Sequence, residues 1–310
     1  MRPSGVRAAL QAQAKINLFL HVGERRTDGF HPLQSLAVFT ETADDLSVEE
    51  ADDLSLVLDG PFADGLAGED DNLVLKAARA LAAHGGRPAG ARLRLTKNLP
   101  VASGIGGGSA DAAAALRALA GLWRMEADED ALREIAAQLG SDIPVCVLSR
   151  PAFMAGRGEI LSPVEALPRL PLLLVNPGVK IPTRDVFAAL QERRGVEMAL
   201  PRGRFTDLAD LLRFLEITAN DLEAPAVAQA PVIGEVLSVL KALPGALFVR
   251  MSGSGATCFA LMPDDDGCAR AAAMLRVRQP GWWVQATSVP GRNIVQEGQG
   301  RDIGPTPEGL

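Results

Sequence analysis

At 310 residues with 47% hydrophobic content, the chain can bury a large core and has the length of one large or two medium domains. A formal net charge of −7, with both signs well mixed, argues against the basic face of a general nucleic-acid or membrane-surface binder. Cys146, Cys258 and Cys268 form no CxxC pair and sit in or beside apolar runs, which points to buried thiols in a reducing compartment rather than a disulfide frame or a zinc site.

Residues 11–22 alternate strictly, with Ala12, Ala14, Ile16, Leu18, Leu20 and Val22 on one side and Gln11, Gln13, Lys15, Asn17, Phe19 and His21 on the other. That is the pattern of a half-buried strand. Lys15 and Asn17 fall side by side on its polar face, which from alternation alone is solvated and could equally line a cleft. A turn-rich stretch follows at 23–31, where Asp28-Gly29 marks a turn and Pro32 holds His31 extended. Phe30 and His31 therefore sit at a loop-to-strand junction; on their own they read as a core aromatic and a surface histidine. Residues 46–58 supply one or two strands, and the acidic cluster at 44–53 reads as solvated surface. Asp70-Asp71-Asn72 caps a helix over 73–83 that His84-Gly85-Gly86 closes. Residues 92–97 alternate again, a strand ending at Lys97.

That strand feeds Leu99-Pro100-Val101-Ala102-Ser103-Gly104-Ile105-Gly106-Gly107-Gly108-Ser109-Ala110-Asp111, in which four of the five residues from 104 to 108 are glycine. Glycine serves where the backbone takes positive φ or comes close to another group. Such a loop entering a helix gathers N–H donors at the positive end of a helix dipole, an anion site suited to phosphate. Ser109 or Asp111 is positioned to cap an Ala-rich helix over 112–122. A further helix at 130–139 stops at Gly140, and Asp142 then stands between that helix end and an apolar strand from Ile143. A carboxylate so placed is often only a cap or turn residue.

The composition resets past Gly156-Arg157-Gly158, giving expected domains at 1–158 and 159–296 and a Gly-, Pro- and Gln-rich tail at 297–310 that is expected to be disordered. In the second domain, strands are expected near 171–175, 246–250, 257–262 and 282–286, with helices near 207–215, 231–243 and 267–276. Another helix opens at Thr183 and carries Phe187, while 196–204 looks like loop. Met251-Ser252-Gly253-Ser254-Gly255-Ala256 is a second Gly/Ser turn. No apolar leader follows Met1-Arg2-Pro3 and no run approaches a membrane span, so the expected location is cytoplasmic.

Spacing separates the loop from two familiar phosphate loops. A Walker A loop needs Lys-Ser/Thr directly after its last glycine, where this chain has Ser109-Ala110. A GxGxxG template begun at Gly104 meets Ser109 at its third glycine. Alone, a glycine-rich turn before a helix is explained as well by packing as by phosphate.

Other stretches accompany it: Ala14-Lys15-Ile16-Asn17-Leu18-Phe19-Leu20, Asp28-Gly29-Phe30-His31-Pro32, Gly140-Ser141-Asp142-Ile143-Pro144-Val145, Asn220-Asp221-Leu222-Glu223 and the second Gly/Ser turn. In this order they resemble the galactokinase–homoserine kinase–mevalonate kinase superfamily, and within it the kinases of the non-mevalonate isoprenoid route whose acceptor carries a cytidine diphosphate. The resemblance implies an α+β, two-domain small-molecule kinase fold with the active site in the interdomain cleft. It implies ATP with its phosphates on residues 100–110, Mg2+ alongside on mostly water ligands, and a small-molecule partner rather than nucleic acid or membrane. Asp142 becomes the base for the acceptor hydroxyl, and Lys15 its partner near the transferring phosphoryl group. Asn17 falls at the sugar-alcohol end, Phe30 and His31 read the cytosine by stacking and hydrogen bonding, and Phe187 is the opposite stacking wall. Asn72 and Lys97 match nucleotide-side positions.

Two departures from that family stand out. Phe30 replaces the usual Tyr, keeping a π-face without the hydroxyl, and Ser109-Ala110-Asp111 stands where Ser-Ser-Asn is usual. The alternatives are another kinase of the superfamily or a nucleotide-binding regulator. Gly29-Phe30-His31 argues against the first, because an aromatic beside a base-edge reader suits a nucleobase. Lys15 and Asp142 argue against the second, since a pure binder needs only the loop.

Overall fold

The computed structural model describes residues 7–27, 29–66, 72–201 and 203–293. Its spine is an antiparallel ribbon of β1 (Arg7–Val22) and β2 (Leu33–Glu50), paired from Arg7 opposite Glu49 to Val22 opposite Leu33. Register shifts between Gln13 and Lys15 and between Asn17 and Leu20 interrupt the ladder, as bulges do where a strand must re-aim side chains. These shifts fall at the two polar residues singled out above.

β3 (Leu54–Asp59), α1 (Leu73–His84) and β4 (Ala91–Thr96) follow, with β3 parallel to β4 and β4 antiparallel to β2. After α2 (Gly107–Leu122), α3 (Glu129–Leu139) and α4 (Ile143–Leu148), the strands β5 (Ala152–Ala155) and β6 (Ile160–Pro163) complete a six-stranded sheet. Its order is β3-β4-β2-β5-β6, with β1 along β2. The helices cover one face of it. α2 can lie deep in that layer because Ala112, Ala113, Ala114 and Ala115 let α1, α4 and β1 approach from several sides, and all four are buried.

The second half begins with β7 (Ala166–Leu167), β8 (Leu170–Asn176), α5 (Thr183–Ala188), α6 (Leu208–Glu216), α7 (Glu223–Gln229) and α8 (Val232–Lys241). It ends with β9 (Phe248–Met251), β10 (Cys258–Leu261), α9 (Asp265–Arg278), β11 (Trp283–Val289) and β12 (Arg292–Asn293). Four of these strands form an antiparallel sheet in the order β11-β8-β10-β9, and β12 pairs with β7. A shared core joins the halves: Ile16, Leu18, Phe19 and Phe153 pack with Leu172, Leu174, Phe259 and Leu211. Hydrogen bonds cross as well, from Leu20 N to Ala219 O and from Asp221 N to Leu20 O, each 2.9 Å.

That double covering corrects the reading of 11–22 as half-buried. From Ala14 to Val22 every residue is buried, Lys15, Asn17 and His21 included. Three further expectations change. The helix placed at 112–122 starts at Gly107, its N-cap is Gly106 in a left-handed conformation, and neither Ser109 nor Asp111 caps it. The strand expected after Asp142 is α4: all six of its residues are buried, so its apolar run carries no periodicity to separate helix from strand, and Pro144 fits a first helical turn. Asp44, assigned to a solvated cluster, is wholly buried.

The division expected at residue 158 falls inside the β5–β6 hairpin, so the first sheet runs on to Pro163. Asp70, Asp71 and the tail at 297–310 lie outside the described residues. No helix of the described residues is long and apolar enough to cross a membrane.

Candidate active site

The glycine loop is held by the backbone on both sides. Lys15 N donates to Ile105 O (2.9 Å), Thr257 N to Ser103 O (3.0 Å) and Ser252 Oγ to Gly104 O (3.0 Å). Gly104 (φ 75°) is glycine because the second Gly/Ser turn presses on it: a Cβ there would lie 2.5 Å from Ser252 O and 2.7 Å from Gly255 O. Gly106 (φ 63°) makes the left-handed step into α2. From there the helix proper begins, its first bond running from Ala110 N to Gly106 O. The N–H groups of Gly107, Gly108 and Ser109 therefore have no partner within the helix. They border a cavity of about 700 Å³ that is also lined by Ala102, Ser103, Gly104 and Gly106.

The same cavity receives Lys15 and Asp142. Lys15 runs from β1 under the loop, so close that a Cβ on Gly106 would meet its side chain at 3.2 Å. Its Nζ donates to Asp142 Oδ2 at 2.6 Å, with the Lys15 side chain 3% exposed and that of Asp142 39% exposed. Asp142 occupies the N-cap position of α4 without capping it, so its carboxylate is given to Lys15 and the cavity. Asn17 is fixed two residues further along. Its Nδ2 donates to Ser35 Oγ (2.7 Å) and its backbone N to Ser252 Oγ (3.1 Å), and its Oδ1 is turned toward Gly253.

The far wall is aromatic. His31 and Phe187 rings lie 5.8 Å apart at 34°, and Phe30 is 47% exposed with the Arg157 guanidinium 4.7 Å from its ring centre. His31 Nδ1 is 3.0 Å from Gly23 O. A carbonyl can only accept, so Nδ1 carries the proton and, in the neutral ring, Nε2 is left as an acceptor. Thr183 Oγ1 and Ser254 Oγ, 2.8 Å apart, bridge α5 to the second Gly/Ser turn along the cavity edge.

The cavity thus gathers Lys15, Asn17, Phe30, His31, Asp142, Phe187 and most of the loop from 102 to 109. Pro100, Val101, Ile105 and Ala110 belong to the loop but do not line the cavity. Asn72 and Lys97, carried over as nucleotide-side positions, do not line the cavity and have partners within the chain. Asn72 caps α1 by accepting from Val74 N at 2.9 Å, and Lys97 is sealed between Asp44 and Asp111. Burial acts against the Lys97 ammonium, but the Asp111 and Asp44 carboxylates outweigh it and raise its pKa. Burial pushes Asp111 up to about 7, against the pull of Lys97 and with the added repulsion of Asp44. Arg157, Ile181, Thr183 and Ser254 line the cavity without having been singled out as site residues. The Gly/Ser turn was the visible signal for Ser254, and the Ile181-Pro182-Thr183 run leading to Phe187 was the signal for Ile181 and Thr183.

The glycine cradle and the Lys15–Asp142 pair, in one cleft between two α+β halves, define the class as a small-molecule kinase. Residues 72–150 match the GHMP kinases N terminal domain and residues 197–277 the GHMP kinases C terminal, a class that uses ATP. A 4-diphosphocytidyl-2-C-methyl-D-erythritol kinase of Parvibaculum lavamentivorans is 49% identical over 285 residues, covering 90% of this chain and 97% of its own. One of Ruegeria pomeroyi is 51% identical over 274 residues, covering 88% and 95%. A crystal structure of 4-(cytidine 5'-diphospho)-2C-methyl-D-erythritol kinase superposes with a TM-score of 0.75 at 36% identity, covering 92% of this chain and all of the other. Homoserine kinase from Cytophaga hutchinsonii shares the fold, with a TM-score of 0.66 at 15% identity over 95% of this chain and 97% of its own. The chain belongs to the 4-diphosphocytidyl-2-C-methyl-D-erythritol kinase family.

Proposed function

We propose that the protein transfers the γ-phosphoryl group of ATP to the 2-hydroxyl of 4-diphosphocytidyl-2-C-methyl-D-erythritol, with Asp142 as the base. The observation that carries this reading is the 2.6 Å Lys15–Asp142 pair opening into the same cavity as the glycine cradle and the aromatic wall. The ATP phosphates lie against the free N–H groups at the start of α2, where the helix dipole favours negative charge. The acceptor's cytosine stacks between Phe30 and Phe187, and His31 Nε2 accepts from its exocyclic amine. That leaves the sugar alcohol beside Asn17 and Asp142.

Phosphoryl transfer of this kind has a loose transition state, so positioning and charge stabilisation count for more than proton removal. The acceptor oxygen forms its bond to the γ-phosphorus as the bond to the β–γ bridging oxygen breaks. Its proton passes to the Asp142 carboxylate, and ADP departs with the bridging oxygen. Lys15 stabilises charge on the transferring group and holds Asp142 in place between turnovers.

Mg2+ fits as a companion of the nucleotide. Among the described residues no group of three His, Cys, Asp or Glu side chains could cage a metal ion. The Ser109 hydroxyl and the Asp142 carboxylate, both on the cavity, are oxygen donors of the kind Mg2+ takes, the rest being water and phosphate. Bound there, the ion would neutralise phosphate charge.

The test is ADP release measured with this cytidine-bearing acceptor beside mevalonate, homoserine and galactose. Preference for the cytidine compound is expected, and equal or better turnover of any of the others refutes the assignment.

A further inference from the structure

Three ionisable side chains sit beneath the glycine loop, outside the lining of the cavity. Lys97, just past β4, donates to Asp44 of β2 and, at 2.6 Å, to Asp111 of α2. The other Asp44 oxygen accepts from the backbone N of Asn98 and of Leu99 (2.8 Å). The chain therefore leaves the sheet at 97–99 and settles into α2 at 111 with both ends of the loop tied to one cluster. A Cβ on Gly107 would point into it, 3.6 Å from Lys97 Nζ and 3.8 Å from Asp44 Oδ2. The cluster accordingly stands directly behind the helical turn whose N–H groups border the cavity.

Side-chain exposures are 0% for Asp44 and 2% for both Lys97 and Asp111, and Asp111 Oδ1 is buried with no hydrogen-bond partner among the described residues. Such a cluster is a poor device for stability, because removing charges from water costs several kcal/mol each and apolar residues of like volume often do as well. What it supplies and apolar residues do not is directional attachment. A positive group must face both carboxylates, and those carboxylates belong to a strand and to the helix the loop enters.

We propose that Asp44, Lys97 and Asp111 form a buried latch that closes the phosphate loop at its base and holds the N–H groups of the cradle in position for ATP. All three are positioning residues and touch no ligand. The latch gives a role to the acidic exit of the loop, where Asp111 meets Lys97 rather than the nucleotide. It rests on the reading that the cradle takes the phosphates of ATP, and calorimetry of ATP binding to the wild-type protein tests that reading separately.

Asp111→Ala opens the latch. The expected result is a rise of about tenfold or more in KM and Kd for ATP, with KM for the acceptor and kcat at saturating ATP changed by no more than about threefold. Asp111→Asn keeps a carbonyl oxygen within reach of Lys97 and should restore KM for ATP to within about threefold of wild type. Asp111→Ser, which also falls short of Lys97, serves in its place if the alanine variant does not fold. An opened latch that binds ATP as wild type does, or that raises both KM values equally, overturns the proposal. A wild-type protein that binds no ATP refutes the phosphate reading instead.

Discussion

Gly108 separates what the fold asks of the glycine loop from what a ligand asks of it. At Gly104 the fold leaves no choice, since a Cβ would sit 2.5 Å from Ser252 O on a residue with φ of 75°. At Gly108 the backbone is helical, the residue is exposed, and a Cβ would meet just Leu73 Cδ1 at an ordinary 3.6 Å. Among the described residues nothing requires glycine there. Gly108→Ala should therefore leave stability unchanged or raise it by about 0.4–1 kcal/mol, through reduced freedom of the unfolded chain and better helix propensity. In a thermal melt that is a shift upward of a few degrees at most. On the proposed function, however, the added methyl stands on the surface that phosphate oxygens approach to reach the N–H groups of α2. ATP affinity should fall by about tenfold or more, equivalent to about 1.4 kcal/mol. Gly104→Ala should give the reverse, a loss of about 1–3 kcal/mol in stability from the forced backbone clash. Calorimetric titration with ATP beside the melts reads both quantities. Gly108→Ala binding ATP as tightly as wild type would remove the phosphates from the start of α2.

On the proposed mechanism, Asp142→Asn removes the proton acceptor and leaves the cradle untouched, so turnover should fall by about 100- to 10,000-fold while ATP still binds; near-normal turnover would take Asp142 out of the mechanism. His31→Ala should raise KM for the cytidine-bearing acceptor much more than KM for ATP, and equal effects on both would refute the cytosine assignment. Because burial raises the folded-state pKa of Asp111 from the ordinary 3.8 to about 7, its stabilising proton is held below that range and lost above it. Urea unfolding of wild type and Asp111→Asn should therefore show a difference in stability that falls as pH rises from about 4 to about 7, where the unfolded carboxyl is already ionised. A difference that is flat across that window would show that the Asp111 carboxyl is not held protonated by its burial.

The parts of the site that were legible are those whose chemistry is local. A run of glycines before a helix marks a tight turn into a helix start, with packing and phosphate equally open, and Asn72 before an apolar periodic stretch announces a cap. Lys15 and Asp142 were legible through resemblance alone, because their meaning depends on being 2.6 Å apart across 127 positions of chain. Alternation placed Lys15 and Asn17 on the face opposite Ile16 and Leu18 but could not say what covers that face. It is covered by the loop and by the second half of the molecule, through bonds such as Asn17 N to Ser252 Oγ.

The acidic stretch at 44–53 shows why charge patterning alone mislabels a residue. Asp45, Asp52 and Asp53 are exposed as a charge run should be, and Asp44 beside them is wholly buried. The difference lies in strand alternation on β2: Asp45 pairs with Thr96 on one face, and the neighbouring position turns inward to Lys97. An inward lysine just past β4, an inward aspartate on β2 and another on α2 each break the local rule that charges face water. Each is intelligible once the other two are present. Burial of one such group alone would cost several kcal/mol, so the three constrain one another, and the loop between Lys97 and Asp111 inherits that constraint.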